Sequence, residues 1–258
     1  MPRVEPVLIF DLDGTILRRN SFPLFVLALL LGAPNLSLGT RVALSLATQR
    51  LLLARKLGRL GHDDFLRSLQ DAWRGATQSG AALQDRLQAR LLRLVRPNIV
   101  PVLGLVADDA MDSLLATAAA GEYAVPLGRA LGFSTVLATP AGRTADEPSN
   151  SGSRKRDRVL SWLAERGWAD KPRIFFNDDL ADLPLMLECQ AVCWFGGERA
   201  LRKARAVAPD VRLVPCRNMR PHEMHATLAH LAQSLAAAQL ATMASAGRGT
   251  FAGTSIVS

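Results

Sequence analysis

Asp11 and Asp13 stand two residues apart, directly after the apolar run "VLIF" (7–10) and directly before Gly14. In extended chain, residues two apart point the same way, so both carboxylates address one place. Gly14 permits a sharp turn just beyond them. Further polar groups fall at comparable positions: Thr117 closes "SLLAT", Lys155 opens a helical pattern between Arg154 and Arg156, and Asp178, Asp179 and Asp182 come after "RIFFN". Carboxylates that converge this way need a cation, because two like charges about 4 Å apart repel by about 4 kcal/mol at an effective dielectric near 20. A set of oxygen ligands selects Mg²⁺ over zinc.

These residues must be held by regular elements. The four apolar residues 7–10 suit a strand buried on both faces. From residue 98 onward, helical and strand patterns alternate. Strands are expected over 111–117, 133–139, 173–177, 191–195 and 211–214. Helices are expected over 99–109, 122–131, 155–167, 180–189 and 198–208. Alternation of this kind predicts an α/β fold: a Rossmann-like three-layer core with a mostly parallel sheet and helices on both faces. Ligands of such sheets bind at the carboxyl ends of the strands, where the polar residues above would meet. The stretch rich in Pro, Gly, Ser and Asn from Thr139 to Ser153 reads as a loop.

Residues 21–95 are helical in pattern, with no strand signal. The apolar run from Phe22 to Leu31 comes after an arginine pair and has the outward look of an export signal. It lies behind a complete strand, however, and is too short to span a bilayer, which needs about 20 residues. It reads instead as a buried helix with Ser21 as its N-cap and Pro23 in its first turn. A second apolar run, Val42 to Leu53, is interrupted by Gln49 and Arg50 and reads as a packed or surface-seeking helix. The resulting division is a catalytic core of residues 1–17 and 98–217, an inserted α-helical cap of residues 18–97, and a C-terminal segment of residues 218–258. That last segment carries a helix over about 222–241 and a tail of small residues expected to fray.

"DLDGT" at 11–15, "LLAT" ending at Thr117, Lys155 and "NDDLADLPL" at 177–185 together resemble, in order and spacing, the four motifs of the haloacid dehalogenase superfamily of phosphatases. The long gap between the first two motifs resembles the helical cap of the phosphoserine phosphatase-like branch. The resemblance implies a phosphomonoester hydrolase. Asp11 would be the nucleophile that becomes an aspartyl phosphate, and Asp13 the general acid and base. Thr117 would hydrogen-bond a phosphoryl oxygen, and Lys155 would balance charge on the nucleophile and phosphoryl group. Asp178 would join Asp11 and the Asp13 carbonyl in holding Mg²⁺, with Asp182 in support. Asp179 is a second carboxylate beside Asp178, and Asn177 stands where the family often has Gly or Ser. A phosphotransferase or mutase on the same fold, or a non-catalytic binding protein, are the alternatives.

The chain has 258 residues and a net charge of +8. Residues 18–97 hold thirteen Lys and Arg against four Asp, a net +9, which leaves the rest near neutrality at −1. Such a cap attracts anions: a phosphorylated metabolite, or a lipid phosphate reached by peripheral contact of the apolar, basic cap with a membrane. Nucleic acid is not expected, because no zinc finger, RNP-like sequence or interleaving of basic and aromatic residues is present. Substrate selection has its nearest candidates in Arg19, Asn20 and Ser21. Three cysteines without a CxxC pair read as reduced thiols, and with them the expected location is the cytoplasm. "HEMHATLAH" (222–230) lacks the HExxH spacing and reads as exposed helix histidines.

Overall fold

The computed structural model describes residues 5–32, 36–77, 82–141, 147 and 149–249. Strand β1 is Val7–Phe10, buried on both faces. It is joined by β2 (Ser113–Ala120), β3 (Val136–Thr139), β4 (Arg173–Asn177), β5 (Ala191–Trp194) and β6 (Arg212–Pro215) in one sheet of order β3-β2-β1-β4-β5-β6, with every pairing parallel. Alternation along β1 divides the core. Leu8 and Phe10 join one apolar cluster with α5 (Val100–Ala107), α6 (Gly121–Ala130) and α10 (Pro221–Gly249). Val7 and Ile9 join another with α7 (Ser153–Glu165), α8 (Leu183–Met186) and α9 (Glu198–Val207). The result is a three-layer α/β core.

Between β1 and α5 the chain forms, among the described residues, the α-helices α1 (Phe22–Leu31), α2 (Leu38–Lys56), α3 (His62–Thr77) and α4 (Ala82–Leu92). The segments that enter and leave this cap are tied together: Arg18 N donates to Leu94 O and Arg96 N to Ile16 O, each at 2.9 Å. Buried cap residues such as Phe25, Leu69, Trp73 and Leu87 share one cluster with Tyr123 and Leu127 of α6, so cap and core are packed through a common apolar interior. The Phe25 and Tyr123 rings lie 5.0 Å apart at that seam.

Several elements differ from expectation. Strand β2 does not end at Thr117 but runs on to Ala120, with a register shift against β3 between Ala116 and Ala120. Strand β3 starts at Val136, because Phe133 turns inward and packs edge-on against Phe10. The helix expected over 180–189 is a 3-10 turn at Leu180–Asp182 and then the single turn of α8, as befits a segment that carries Pro184. Helix α10 continues to Gly249; the rest of the tail, and 142–146 and 148 of the Pro/Gly-rich loop, lie outside the described residues. His222, His225 and His230 are exposed on α10.

Candidate active site

Asp11 leaves the end of β1 with its N–H donated to Phe176 O of β4 at 2.9 Å, which seats it between the two central strands. Its buried carboxylate receives Lys155 Nζ at 2.9 Å. The same ammonium reaches Asp182 Oδ2 at 2.6 Å. All three groups are buried, so this is an internal ion triad. Burial alone would favour loss of the Lys155 proton. The two carboxylates outweigh it and hold the lysine above its ordinary range. Asp11 is pushed up to about 7, first by burial, with Lys155 opposing and Asp182 adding to the rise. Lysine is selected over its neighbours by position: Lys155 points into the core from the first turn of α7, whereas Arg154 is exposed and Arg156 is partly so. Asp182 makes no side-chain cap at α8, because its carboxylate is committed to the lysine.

Asp13 is held from the cap side. Ser21 N donates to Asp13 Oδ1 at 2.7 Å and Ser21 Oγ to Oδ2 at 3.0 Å. Burial raises Asp13 above the ordinary carboxylate range, and the two bonds from Ser21 oppose that rise. The expected side-chain cap by Ser21 at α1 is absent, since the hydroxyl is spent on Asp13. Ser21 Oγ also lies 2.8 Å from the hydroxyl of Tyr123, the chain's one tyrosine. Ser21 donates its single proton to the carboxylate, so the tyrosine must donate to the serine. The polar chain therefore runs Tyr123 to Ser21 to Asp13. Its role could not be read from the sequence, because Tyr123 lies about a hundred residues away on another element.

Thr117 is fully buried near the same sheet edge; Leu115 pairs with Phe10, which places Thr117 one residue beyond the level of Asp11. Its Oγ accepts from Ala119 N at 3.1 Å, which leaves the hydroxyl proton to donate. Asn150 ties the loop ahead of α7 to the sheet, donating to Thr117 O at 3.0 Å and Leu137 O at 2.7 Å. This second-loop anchor carried no motif signal. The turn after β4 is shaped by Asn177, whose amide donates to Asp179 O at 2.7 Å.

Asp178 packs against the loop that carries Asp13. A Cβ on Gly14, whose φ is +77°, would lie 1.9 Å from Asp178 Oδ2, so only glycine leaves room for that carboxylate. Thr15 Oγ donates to Asp178 Oδ1 at 3.5 Å. Asp179 is exposed and caps the 3-10 turn through Ala181 N, so of the adjacent pair Asp178 is the one at the site. Asp178 is pushed up to about 6, by burial first, then Asp179, with Arg96 opposing. Arg96, at the cap exit, grips Gly14 O at 2.7 Å and covers the Phe195 ring.

Among the described residues, no three His, Cys, Asp or Glu side chains converge closely enough to hold a metal by side chains alone. The donors on these neighbouring loops are oxygens: the Asp11 carboxylate at the end of β1, the main chain of the Asp13–Gly14 turn, and the Asp178 carboxylate packed against that turn. Asp178 has no ion-pair partner within 4 Å among the described residues. Carboxylates raised by burial, with Asp178 set against the Gly14 turn, are the donor type that suits a hard divalent cation, which also takes carbonyl and solvent oxygens.

A family model for haloacid dehalogenase-like hydrolases matches residues 8–187. A protein with unknown function from Bordetella pertussis Tohama I is similar in structure, with a TM-score of 0.63 at 19% identity over 82% of this chain and 99% of that one. A probable phosphoserine phosphatase from Vibrio cholerae, in unliganded form, has a TM-score of 0.58 at 12% identity over 90% of this chain and 67% of that one. A β-phosphoglucomutase from Clostridium difficile has a TM-score of 0.50 at 15% identity, over 88% of this chain and 98% of that one. At these identities the likeness is one of fold. A comparison with curated proteins finds no match. With a family model that spans residues 8–187 and a parallel sheet interrupted by a helical cap after β1, the chain belongs to the haloacid dehalogenase-like hydrolases.

Proposed function

We propose that this hydrolase is a Mg²⁺-dependent phosphatase of phosphomonoesters that works through an aspartyl phosphate on Asp11. The observation that carries the proposal is the buried triad of Asp11, Lys155 and Asp182 at the carboxyl end of β1 and β4, with Asp13 two residues beyond. Lys155 fixes one oxygen of Asp11 and restrains rotation of the carboxylate, so the other oxygen is presented to phosphorus. As the Asp11–phosphorus bond forms, the bond to the leaving alcohol breaks, and Asp13 gives its proton to the departing oxygen. Asp13, now ionised, takes a proton from water. That water attacks phosphorus, releases inorganic phosphate and regenerates Asp11. Thr117 donates to a phosphoryl oxygen. Asp11, Asp178 and the Asp13 carbonyl would hold the metal, which when bound offsets negative charge on the carboxylates and the phosphoryl group.

Burial favours the protonated form of Asp13, as suits the acid, and the bonds from Ser21 favour the ionised form, as suits the base it becomes. Tying the general acid to the entry of the cap also links chemistry to cap position. Phosphate release from a broad panel of soluble monoesters, with Mg²⁺ and with chelator, tests the proposal. Asp11→Asn should lose at least about a thousandfold in turnover, equivalent to about 4 kcal/mol. Full activity in that variant would mean another group is the nucleophile. Transfer to an added alcohol in preference to water would instead favour a phosphotransferase.

A further inference from the structure

Helix α2 is apolar on two opposite faces. Leu44, Leu51 and Leu52 pack inward on the cap interior, and Thr48 beside them is fully buried. On the outside, Leu38, Val42, Leu46 and Leu53, with Leu57 at the helix end, are exposed, each by 49% to 74%. At 3.6 residues per turn these five fall within one arc of about 100°, centred roughly opposite the buried side. A helix apolar all round is ordinarily buried; here the outer stripe faces solvent on the outermost layer of the cap. Helix α1, packed against α2, adds exposed Leu27 and Leu31.

The charges around the stripe are of one sign. Helix α2 contains no acidic residue, and Arg41, Arg50, Arg55, Lys56 and the nearby Arg59 are all exposed. None of the five has a carboxylate within 4 Å among the described residues. On the helical wheel Lys56 and Arg50 border the apolar arc on its two sides. This is the layout of a helix that lies in a membrane interface, with leucines among the acyl chains and cations among the headgroups. No described helix is long and apolar enough to cross a membrane, so the contact is peripheral. A second copy of this chain fits worse. A two-fold pairing of the stripe would set arginine flanks of one cap against those of the other, inside a cap that is already at +9.

We infer that the outer face of α2 docks this protein on an anionic phospholipid bilayer. Helix α2 packs on α1, and α1 begins directly after Ser21, the residue that holds Asp13. On the phosphatase proposal above, a docked cap places the site where a lipid phosphate is presented. Docking itself does not depend on that proposal.

Co-sedimentation of the full chain with vesicles tests it, using phosphatidylcholine alone and phosphatidylcholine with about 30 mol% phosphatidylglycerol. The wild type should partition at least about tenfold more strongly to the anionic vesicles. Binding should fall when NaCl rises from about 50 to about 500 mM, because screening weakens the cationic flanks. Val42→Ser/Leu46→Ser/Leu53→Ser and, separately, Arg50→Gln/Lys56→Gln should each weaken partition about tenfold and leave turnover of a soluble monoester unchanged. Equal partition of the two variants and the wild type would overturn the inference, as would a wild type that stays in solution or ignores vesicle charge. A particle of twice 27.8 kDa in light scattering, split by the triple variant, would assign the stripe to a second copy. Failure to hydrolyse any soluble monoester would count against the phosphatase proposal alone, since vesicle binding is read without turnover.

Discussion

Cap and core carry charge in opposite ways. Outside residues 18–97, where eighteen basic residues meet nineteen acidic ones, the decisive charges are buried and matched: Lys155 between Asp11 and Asp182, all sealed from solvent. In residues 18–97, thirteen basic residues face four acids, and the basic residues along α2 are exposed, with no carboxylate within 4 Å among the described residues. A buried pair is barely screened by salt, depends on geometry of tenths of an ångström and resists exchange of either partner. An exposed, one-sided set acts as a field that attracts any anion and tolerates individual changes. On the phosphatase proposal, the division would leave bond-making to the core and selection of the phosphate-bearing partner to the cap. Ser21 is where the two meet, on the cap side of an atom pair whose other half is Asp13.

The most damaging way to break the comparison is to unbalance the core triad. Lys155→Met leaves two buried carboxylates without their cation. The expected loss is about 3–5 kcal/mol of stability, the usual cost of removing one partner of a buried ion pair, and at least about a hundredfold in turnover. The sign with pH is fixed by Asp11. Lys155 opposes the upward push of burial on that group, so its removal lets Asp11 rise beyond its present value of about 7. The variant then relieves its strain by protonation and should be closest to wild type in acid. Chemical denaturation at about pH 5 and about pH 8 checks this; equal destabilisation at both would show that the triad is not electrostatically coupled.

Metal binding sharpens the same contrast. Asp11 at about 7 and Asp178 at about 6 both sit above the ordinary 3.8. A carboxylate raised on folding contributes stability in full below about 3.8, and that contribution is lost as pH climbs through the folded values. A cation that displaces those protons offsets the loss. The Mg²⁺-induced rise in Tm should therefore be small near pH 5 and grow through about pH 6 to 8, as thermal melts with and without chelator would show. An increment independent of pH would place Mg²⁺ away from these two carboxylates.

The core was far more legible in the sequence than the cap. Short apolar runs such as Val7–Phe10 and Arg173–Asn177 have one reading when buried on both faces, and a parallel sheet then lines up the residues just beyond each strand. Asp11, Lys155 and Asp182 meet because they each sit at a strand or helix end on one side of that sheet. The departures were local: β2 overran Thr117 because its last residues still pair with β3 across an irregularity, and the helix after Leu180 shrank to two tight turns around Pro184. In the cap, the pattern read as helical throughout but did not show which face looked outward. Helix α2 is apolar on both sides, so periodicity alone could not orient it. Nor could any local rule pair Ser21 with Tyr123, since the two stand 102 residues apart in the chain.

That pairing gives the two finest tests of where cap and core join. Ser21→Ala keeps the N–H to Asp13 Oδ1 but deletes the hydroxyl to Oδ2. About a tenfold fall in kcat is expected, equivalent to about 1.4 kcal/mol. Because the lost bond held Asp13 down, the limb of the pH profile that requires ionised Asp13 should move to higher pH. A merely structural serine would lower stability and leave that limb in place.

The smallest effect belongs to Tyr123→Phe, one step further from the chemistry. Burial, then the charge of Asp13, raises the tyrosine well above its ordinary value, so it remains a hydroxyl donor throughout the working range. Its removal leaves Ser21 free to donate to Asp13 but without the tyrosine proton on its own oxygen. The phenyl ring still fills the seam against Phe25, so packing is conserved. The expected result is a loss of about 1 kcal/mol in stability, a change in kcat below about threefold, and a pH limb shifted in the same direction as in Ser21→Ala but by less. The double variant should add little to Ser21→Ala alone, because the tyrosine reaches Asp13 only through the serine hydroxyl. Additive losses in the double variant would mean that Tyr123 acts on Asp13 by a second route, and the seam between cap and core would then be broader than one hydrogen-bonded chain.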